Sequence, residues 1–227
     1  MELTMKHTLT LAVSLLALSS AVAEAAPYVE VNLGGSIPMD TDFKNSISPD
    51  AQLSFNPTVA VTAAAGYAFE NGLRAEFEYG YQAPDIDKLT GHVLGVPVTF
   101  TGNGASVTVN TILANGYYDF KTAYKITPLV GGGLGVAVVS AHTNAPNATQ
   151  VTLSSSDTAT VFAYQATAGA SYPVTDHVSL TGSYRYLGTS EGTFNTTLYN
   201  GLTPFGTSPA KVAFSDNVIR VGLRYTF

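Results

Sequence analysis

Polar and apolar residues alternate one by one along much of the chain. Between 73 and 81 the odd positions hold Leu, Ala, Phe and Tyr, whereas the even positions hold Arg, Glu and Gly. The same period of two recurs over 178–186 and 219–227. Successive side chains of a strand point to opposite faces, so the pattern indicates strands with one apolar and one polar face. We predict eight strands, at 28–37, 57–70, 73–84, 105–120, 127–141, 158–172, 178–189 and 212–227.

The connections between these strands alternate between long and short. The short ones are the hairpin signal Asn71-Gly72, a turn around 121–124 and a turn at 173–176, and the four others are much longer. Alternate connections of an up-and-down sheet lie at opposite ends, and outer-membrane barrels combine short periplasmic turns with long extracellular loops. The sequence therefore predicts an all-β fold: an eight-stranded antiparallel up-and-down transmembrane β-barrel with four long extracellular loops and three short periplasmic turns.

Composition supports contact between the apolar faces and lipid. Charged residues make up 11% of the chain, compared with about 25% in soluble domains. The absence of cysteine excludes disulfides and thiolate metal sites, and the net charge of −6 argues against a nucleic-acid partner. We find no pattern of a cofactor site in the sequence and predict none.

The N-terminus has the order of a secretory signal. Lys6 and His7 precede an apolar run over 9–18, which is followed by small residues. Ala23 and Ala25 satisfy the A-x-A rule for cleavage before residue 26, with Ala21-Val22-Ala23 as a competing site. We predict a signal peptide over 1–25 and a mature barrel over 26–227.

Two segments resemble a known family. The C-terminal segment 218–227, with Leu223, Tyr225 and Phe227 on one face, resembles the last strand of bacterial outer-membrane proteins. Segments 117–120 and 126–136 resemble barrels of the surface-antigen and opacity type, which are similar to the barrel of outer membrane protein A. The resemblance implies a location in the cell outer membrane, contact with its lipids and lipopolysaccharide, and assembly by periplasmic chaperones and the barrel-insertion machinery. In that family the terminal aromatic residue acts as an assembly signal.

The polar faces would place charges inside the barrel. The candidates are four acids and four arginines: Glu30, Glu70, Glu76, Glu78, Arg74, Arg185, Arg220 and Arg224. Eight strands enclose an interior just wide enough for side chains to fill, so we predict a paired network in which Glu30 meets Arg224. The alternative is a gated pore lined by charge. Because of the glycine run 131–133, the sequence does not decide which residues of the fourth and fifth strands face inward.

The most direct functional interpretation is a structural and surface-interaction barrel that presents loops for envelope integrity, adhesion or antigenic display, with an external ligand or host surface as its partner. A narrow porin-like channel for small solutes is the alternative. His177 and Ser179 share the spacing of the lipid A deacylase family. However, they follow a short turn, which places them on the periplasmic side, whereas an enzyme that modifies lipid A would need them near the outer leaflet. We therefore predict that the protein is not an enzyme.

Overall fold

The structure is a computed structural model that describes residues 25–43, 51–93, 96–101, 106–146, 151–200 and 203–227. These ranges contain fourteen strands: β1 (Ala25–Pro38), β2 (Thr41–Phe43), β3 (Ala51–Phe55), β4 (Thr58–Phe69), β5 (Leu73–Gln82), β6 (Ile86–Val93), β7 (Val96–Thr101), β8 (Ser106–Asp119), β9 (Thr127–Pro146), β10 (Val151–Pro173), β11 (Val178–Thr189), β12 (Gly192–Asn200), β13 (Thr203–Val212) and β14 (Ser215–Thr226). No helix in these ranges is long and apolar enough to cross a membrane.

Eight of the strands close into an antiparallel barrel. Going round the wall, the order is β1, β4, β5, β8, β9, β10, β11 and β14, and β14 pairs with β1 to complete the ring. Strands that follow one another along the chain among these eight are therefore also neighbours in the wall. This closed up-and-down sheet confirms the predicted fold class, and it leaves no open edge within the wall.

The apolar faces point outward. On β5, Arg74, Glu76 and Glu78 are buried, whereas the residues between them are exposed. Phe77 is 72% exposed while its neighbour Glu78 is 1% exposed, which is the reverse of a soluble barrel. On β10, the outward-facing Phe162 and Tyr172 lie ten residues apart, or about 33 Å along the strand. With a tilt of about 40° this spacing corresponds to about 25 Å of height, the height of the apolar band of transmembrane barrels.

Glycines on β9 make room for side chains of β8, which settles the inward face of these two strands. Odd positions point inward on both. Gly131 pairs with Tyr117, and Gly133 pairs with Asn115. A Cβ atom on Gly133 would lie 1.8 Å from Asn115 Oδ1, and one on Gly131 would lie 2.2 Å from Tyr117 Cδ1. The glycine run thus allows two larger polar side chains to enter the barrel.

Three short turns close one end of the barrel, which we call the turn end. Gly72 has a φ of +89°, a conformation that glycine adopts without strain. Its N–H donates to the Phe69 carbonyl at 3.0 Å. The second turn, 120–126, is closed by the Phe120 N–H and the Pro128 carbonyl at 2.8 Å, and the third by the Val174 N–H and the Val178 carbonyl at 2.8 Å.

The opposite end, the loop end, carries more regular structure than the sequence suggested. The four predicted loops contain two hairpin-like layers, which we together call the head. One layer is the sheet β2-β3-β6-β7, and the other joins the upper parts of β9 and β10 to the hairpin β12-β13. These segments are rich in threonine, which favours strands. Their backbone groups pair within each layer; the second layer continues the β9–β10 ladder of the barrel, whereas β2-β3-β6-β7 is a separate sheet.

An apolar core fills the barrel at the loop end. Its buried members come from five strands and the segment before β14: Val107, Val109, Leu113, Ala137, Val139, Val161, Ala163, Leu187, Phe194 and Phe214. Phe55 of the head meets Phe214 edge to face, with ring centroids 6.0 Å apart. The head is therefore packed onto the mouth of the barrel.

Candidate functional site

The interior at the turn end is occupied by a network of ionised side chains. Seven of the eight charged residues predicted to point inward are buried there, and Asp119 joins them. We call the following set the charge network: Glu30, Arg74, Glu76, Glu78, Asp119, Arg185, Arg220 and Arg224. These side chains sit on five different strands, so their contacts connect the wall across the interior.

Glu78 spans the barrel. It lies on β5 and is 1% exposed. Its Oε2 is 2.8 Å from Arg220 Nη1 on β14, and its Oε1 is 3.3 Å from Arg185 Nη1 on β11. In the ring of eight strands, β11 stands directly opposite β5. One carboxylate thus contacts two guanidinium groups from the far wall, and removing it would leave both positive charges facing one another.

Arg224 and Glu30 meet at the seam where the last strand pairs with the first. Arg224 Nε donates to Glu30 Oε2 at 2.7 Å. The two residues are also directly paired in the β1–β14 ladder. Arg224 Nη1 lies 3.8 Å from Asp119 Oδ2, and Arg74 Nε donates to the same oxygen at 2.9 Å. The pair therefore belongs to a chain of alternating charges and is not isolated.

Glu76 is held mainly by neutral donors. The Tyr28 hydroxyl donates to Glu76 Oε2 at 2.6 Å, and Asn115 Nδ2 donates to Glu76 Oε1 at 3.0 Å. Gln165 Nε2 in turn donates to Asn115 Oδ1 at 2.7 Å. Arg74 lies over the ring of Tyr117, with 4.6 Å from its Cζ to the ring centroid. Hydrogen bonds and an aromatic ring thus support Glu76 and Arg74, as burial of ions requires, whereas Asp119 Oδ1 and Arg185 Nε are buried without a hydrogen-bond partner.

Glu70 does not belong to the network, and its assignment to the interior was wrong. It follows the last residue of β4, lies in the turn with Asn71-Gly72 and is exposed. The alternation of the strand ends before this position, so its parity no longer indicates a direction. Asp119, Tyr28, Tyr117 and Asn115 were missed. For Asp119 the signal was present, since it shares the odd parity of Asn115 and Tyr117 on β8.

Little open space remains inside. The charged side chains at the turn end leave a cavity of about 10 Å³, enough for about one water molecule. Above them lies the apolar core of the loop end, with Leu113, Val109 and Ala163 all fully buried. A path along the barrel axis would have to cross a layer of ion pairs and then a dry layer.

The C-terminal strand is fixed on both sides. Leu223, Tyr225 and Phe227 all face outward and are exposed. The Phe227 N–H donates to the Pro27 carbonyl at 3.0 Å, and the Thr226 N–H donates to the His177 carbonyl at 2.8 Å. These contacts hold the tail of the strand in the closed barrel. A role of the three aromatic and apolar residues as an assembly signal stays a prediction.

His177 interacts with this strand. Its Nδ1 is 2.9 Å from the Thr226 carbonyl, so the proton lies on Nδ1. Its ring stacks on Tyr225 with centroids 5.8 Å apart and an interplanar angle of 25°. His177 therefore holds the end of β14 at the turn end of the barrel.

The predicted cleavage site borders the first strand. Ala25 is the first residue of β1 and pairs with Phe69, whereas Ala23 lies outside the described residues. Cleavage before residue 26 stays a prediction, which N-terminal sequencing of the membrane-extracted protein would check. A mature protein that retains the apolar run 9–18 would contradict it.

Comparison with known proteins places the barrel in a family. The family model described as "Outer membrane protein beta-barrel domain" matches residues 8–227. The chain belongs to this family. It lies in the outer membrane, with its turn end at the periplasm and its head outside the cell. Among the residues that the structure describes, no group of three or more histidine or acidic side chains is arranged to bind a metal ion.

Individual relatives agree with this assignment. "Outer membrane protein PagN" of Salmonella typhimurium is 30% identical over 53% of this chain, and the match spans about half, 51%, of PagN. A Rickettsia conorii protein named "Putative adhesin RC1281" is 29% identical over 78% of this chain and 74% of its own length. The crystal structure of Neisserial surface protein A superposes with a TM-score of 0.55 and 18% identity, over 88% of this chain and 97% of that one. This last likeness shows the shared fold.

Proposed function

We propose that the protein is a surface-interaction barrel: a closed, non-conducting anchor that presents the β-structured head for contact with an external partner. The observation that carries this proposal is the filled interior. Ion pairs at the turn end and an apolar core at the loop end occupy the interior of the part of the barrel that the structure describes. The head is then the part of the protein that carries out its function.

The architecture of the head supports a binding role. The upper parts of β9 and β10 pair with each other beyond the wall, and β10 also pairs with β12, so this part of the head is built on barrel strands. Residues held on a rigid scaffold lose little conformational freedom on binding, which favours affinity. The name of the Rickettsia conorii relative fits adhesion as the form of this contact.

A catalytic role receives no support from the geometry of the described residues. His177, the histidine followed by Ser179 in the H-x-S spacing, is engaged with β14 at the periplasmic surface. We propose that the protein is not an enzyme. Incubation with labelled lipid A should release no labelled fatty acid, and release that depends on His177 would overturn this part of the proposal.

Two experiments test the proposal together. Planar-bilayer recording of the purified protein should show no steady conductance, and a stable, large conductance would establish the porin-like alternative. Bacteria that display the protein should adhere to host cells. A variant with the hairpin β12-β13 replaced by a short turn should adhere less while reaching the surface at normal levels. Adhesion that does not change on removal of this hairpin would contradict a binding role for that part of the head.

A further inference from the structure

The outer wall of the barrel carries a groove near its periplasmic end. The groove has a volume of about 460 Å³, within the range of roughly 300–1,000 Å³ typical of small-molecule sites. Three alanines, Ala65, Ala75 and Ala114, form its floor on β4, β5 and β8. Large aromatic side chains rise beside them, namely Tyr67, Phe77 and Phe227.

The strand register explains why a groove forms here. Ala65 pairs with Phe77, and Ala75 pairs with Tyr67, so each aromatic ring stands next to a methyl group on the adjoining strand. Phe77 is 72% exposed, which shows how far its ring projects from the wall. The difference in side-chain length therefore creates the groove, and its floor is smooth and apolar.

The groove lies within the hydrocarbon layer. Tyr67 is three residues from the exposed turn residue Glu70, so it is about 10 Å from the periplasmic surface along the strand. Water does not fill an apolar depression at that depth, because nothing there can donate or accept a hydrogen bond. A flexible acyl chain matches the apolar lining of the groove.

A cation stands at the periplasmic side of the groove. Lys121 is exposed in the turn between β8 and β9, and its ammonium group donates to the carbonyl of Glu70. An ammonium group has three donors, so two remain for another ligand. Lys125 is exposed in the same turn. The contact of Lys121 with Glu70, three residues from Tyr67, puts its charge beyond the periplasmic end of the groove, where it can attract the phosphate of a lipid headgroup whose chain enters the groove.

We propose that the groove binds one anionic glycerophospholipid of the periplasmic leaflet, with an acyl chain between Tyr67 and Phe77 and the phosphate at Lys121. This site is distinct from the general lipid annulus because it combines a shaped groove with a nearby cation. The proposal of this lipid site relies on the orientation of the barrel in the membrane. It does not rely on the external partner that the head binds.

Native mass spectrometry tests this proposal. The full-length mature protein is released from nanodiscs that contain equal amounts of phosphatidylglycerol and phosphatidylethanolamine, and the retained lipid is counted per barrel. The wild type should retain one phosphatidylglycerol. Ala65→Leu should lower retention about tenfold, because the larger side chain excludes roughly two methylene groups from the floor. Ala168→Leu, an equally exposed outward position on β10 away from the groove, is the matched control.

The headgroup is tested separately. Lys121→Gln should abolish the preference for phosphatidylglycerol over phosphatidylethanolamine, whereas Lys211→Gln, an exposed lysine of the head, should leave it unchanged. Equal retention by Ala65→Leu and Ala168→Leu would overturn the proposal. It would also be overturned if Ala65→Leu altered the amount of dimer in place of the amount of lipid, because the groove would then be a contact between two copies of the chain.

Discussion

Replacement of Glu78 by glutamine should destabilise the folded barrel by about 3–5 kcal/mol, the usual cost of removing one partner from a buried ion pair. The glutamine side chain keeps the shape of the glutamate and removes its charge. Both carboxylate oxygens of Glu78 face guanidinium groups, at 2.8 Å from Arg220 and 3.3 Å from Arg185. Because Glu78 is 1% exposed, water does not screen the two positive charges that remain.

Urea unfolding in detergent micelles measures this loss, since the midpoint and slope of the transition give the free energy of unfolding. Glu70→Gln is the matched control. It makes the same chemical change in an exposed turn of the same barrel, so its effect should stay within about 0.5 kcal/mol. The difference between the two variants isolates the contribution of burial and pairing from that of net charge.

A loss below about 1 kcal/mol for Glu78→Gln, in the range expected for an exposed ion pair, would refute the reasoning. Such a result would mean that water reaches Arg185 and Arg220 in the folded protein. The inference that side chains fill the interior would then be incorrect. The conductance of the same variant should then be measured in a planar bilayer. A measurable conductance in both the variant and the wild type would establish a hydrated lumen.

Three further predictions follow from other contacts. Arg224→Leu should destabilise the barrel by about 3–5 kcal/mol, and adding Glu30→Leu should recover part of that loss, because the second change removes the unpaired charge; a double-mutant cycle on urea unfolding measures the coupling, and strict additivity would count against the contact. Gly133→Ala should cost about 1–3 kcal/mol by overpacking, since its Cβ would lie 1.8 Å from the amide oxygen opposite, whereas Gly116→Ala, with nothing within 4 Å of its Cβ, should be tolerated. Deletion of Phe227 should leave secreted, unfolded protein in the periplasm, and normal surface levels with normal heat-modifiable gel mobility would contradict an assembly role.

The wall of the barrel was predictable because one physical rule governs it. Wherever a strand has lipid on one side and a polar interior on the other, side chains must alternate, as they do on β5 and β14. The rule ends with the strand. Glu70 stands one residue past β4, where the chain turns, and there parity carries no information.

The head and the details of the interior were harder to foresee. The segments that form β12 and β13 bury Phe194 and Ala210 against the rest of the protein, but their many threonines and asparagines are equally compatible with solvated loops. Inside the barrel, the partners of a charge depend on which strands face each other across the ring. The pair of Glu30 and Arg224 lies on adjacent strands and could be inferred, whereas the pairing of Glu78 with Arg185 required the closed structure.

The continuity of β9 and β10 from the wall into the head has a mechanical consequence. These two strands pair without interruption from Thr127 and Ser171 at the turn end to Pro146 and Thr152 in the head. Their hydrogen bonds lie across the strand direction. A pull on the head along the strands therefore loads many hydrogen bonds in parallel, as in a lap joint under shear, and does not open them one at a time. The strands that present the head also carry tension directly into the membrane-embedded wall.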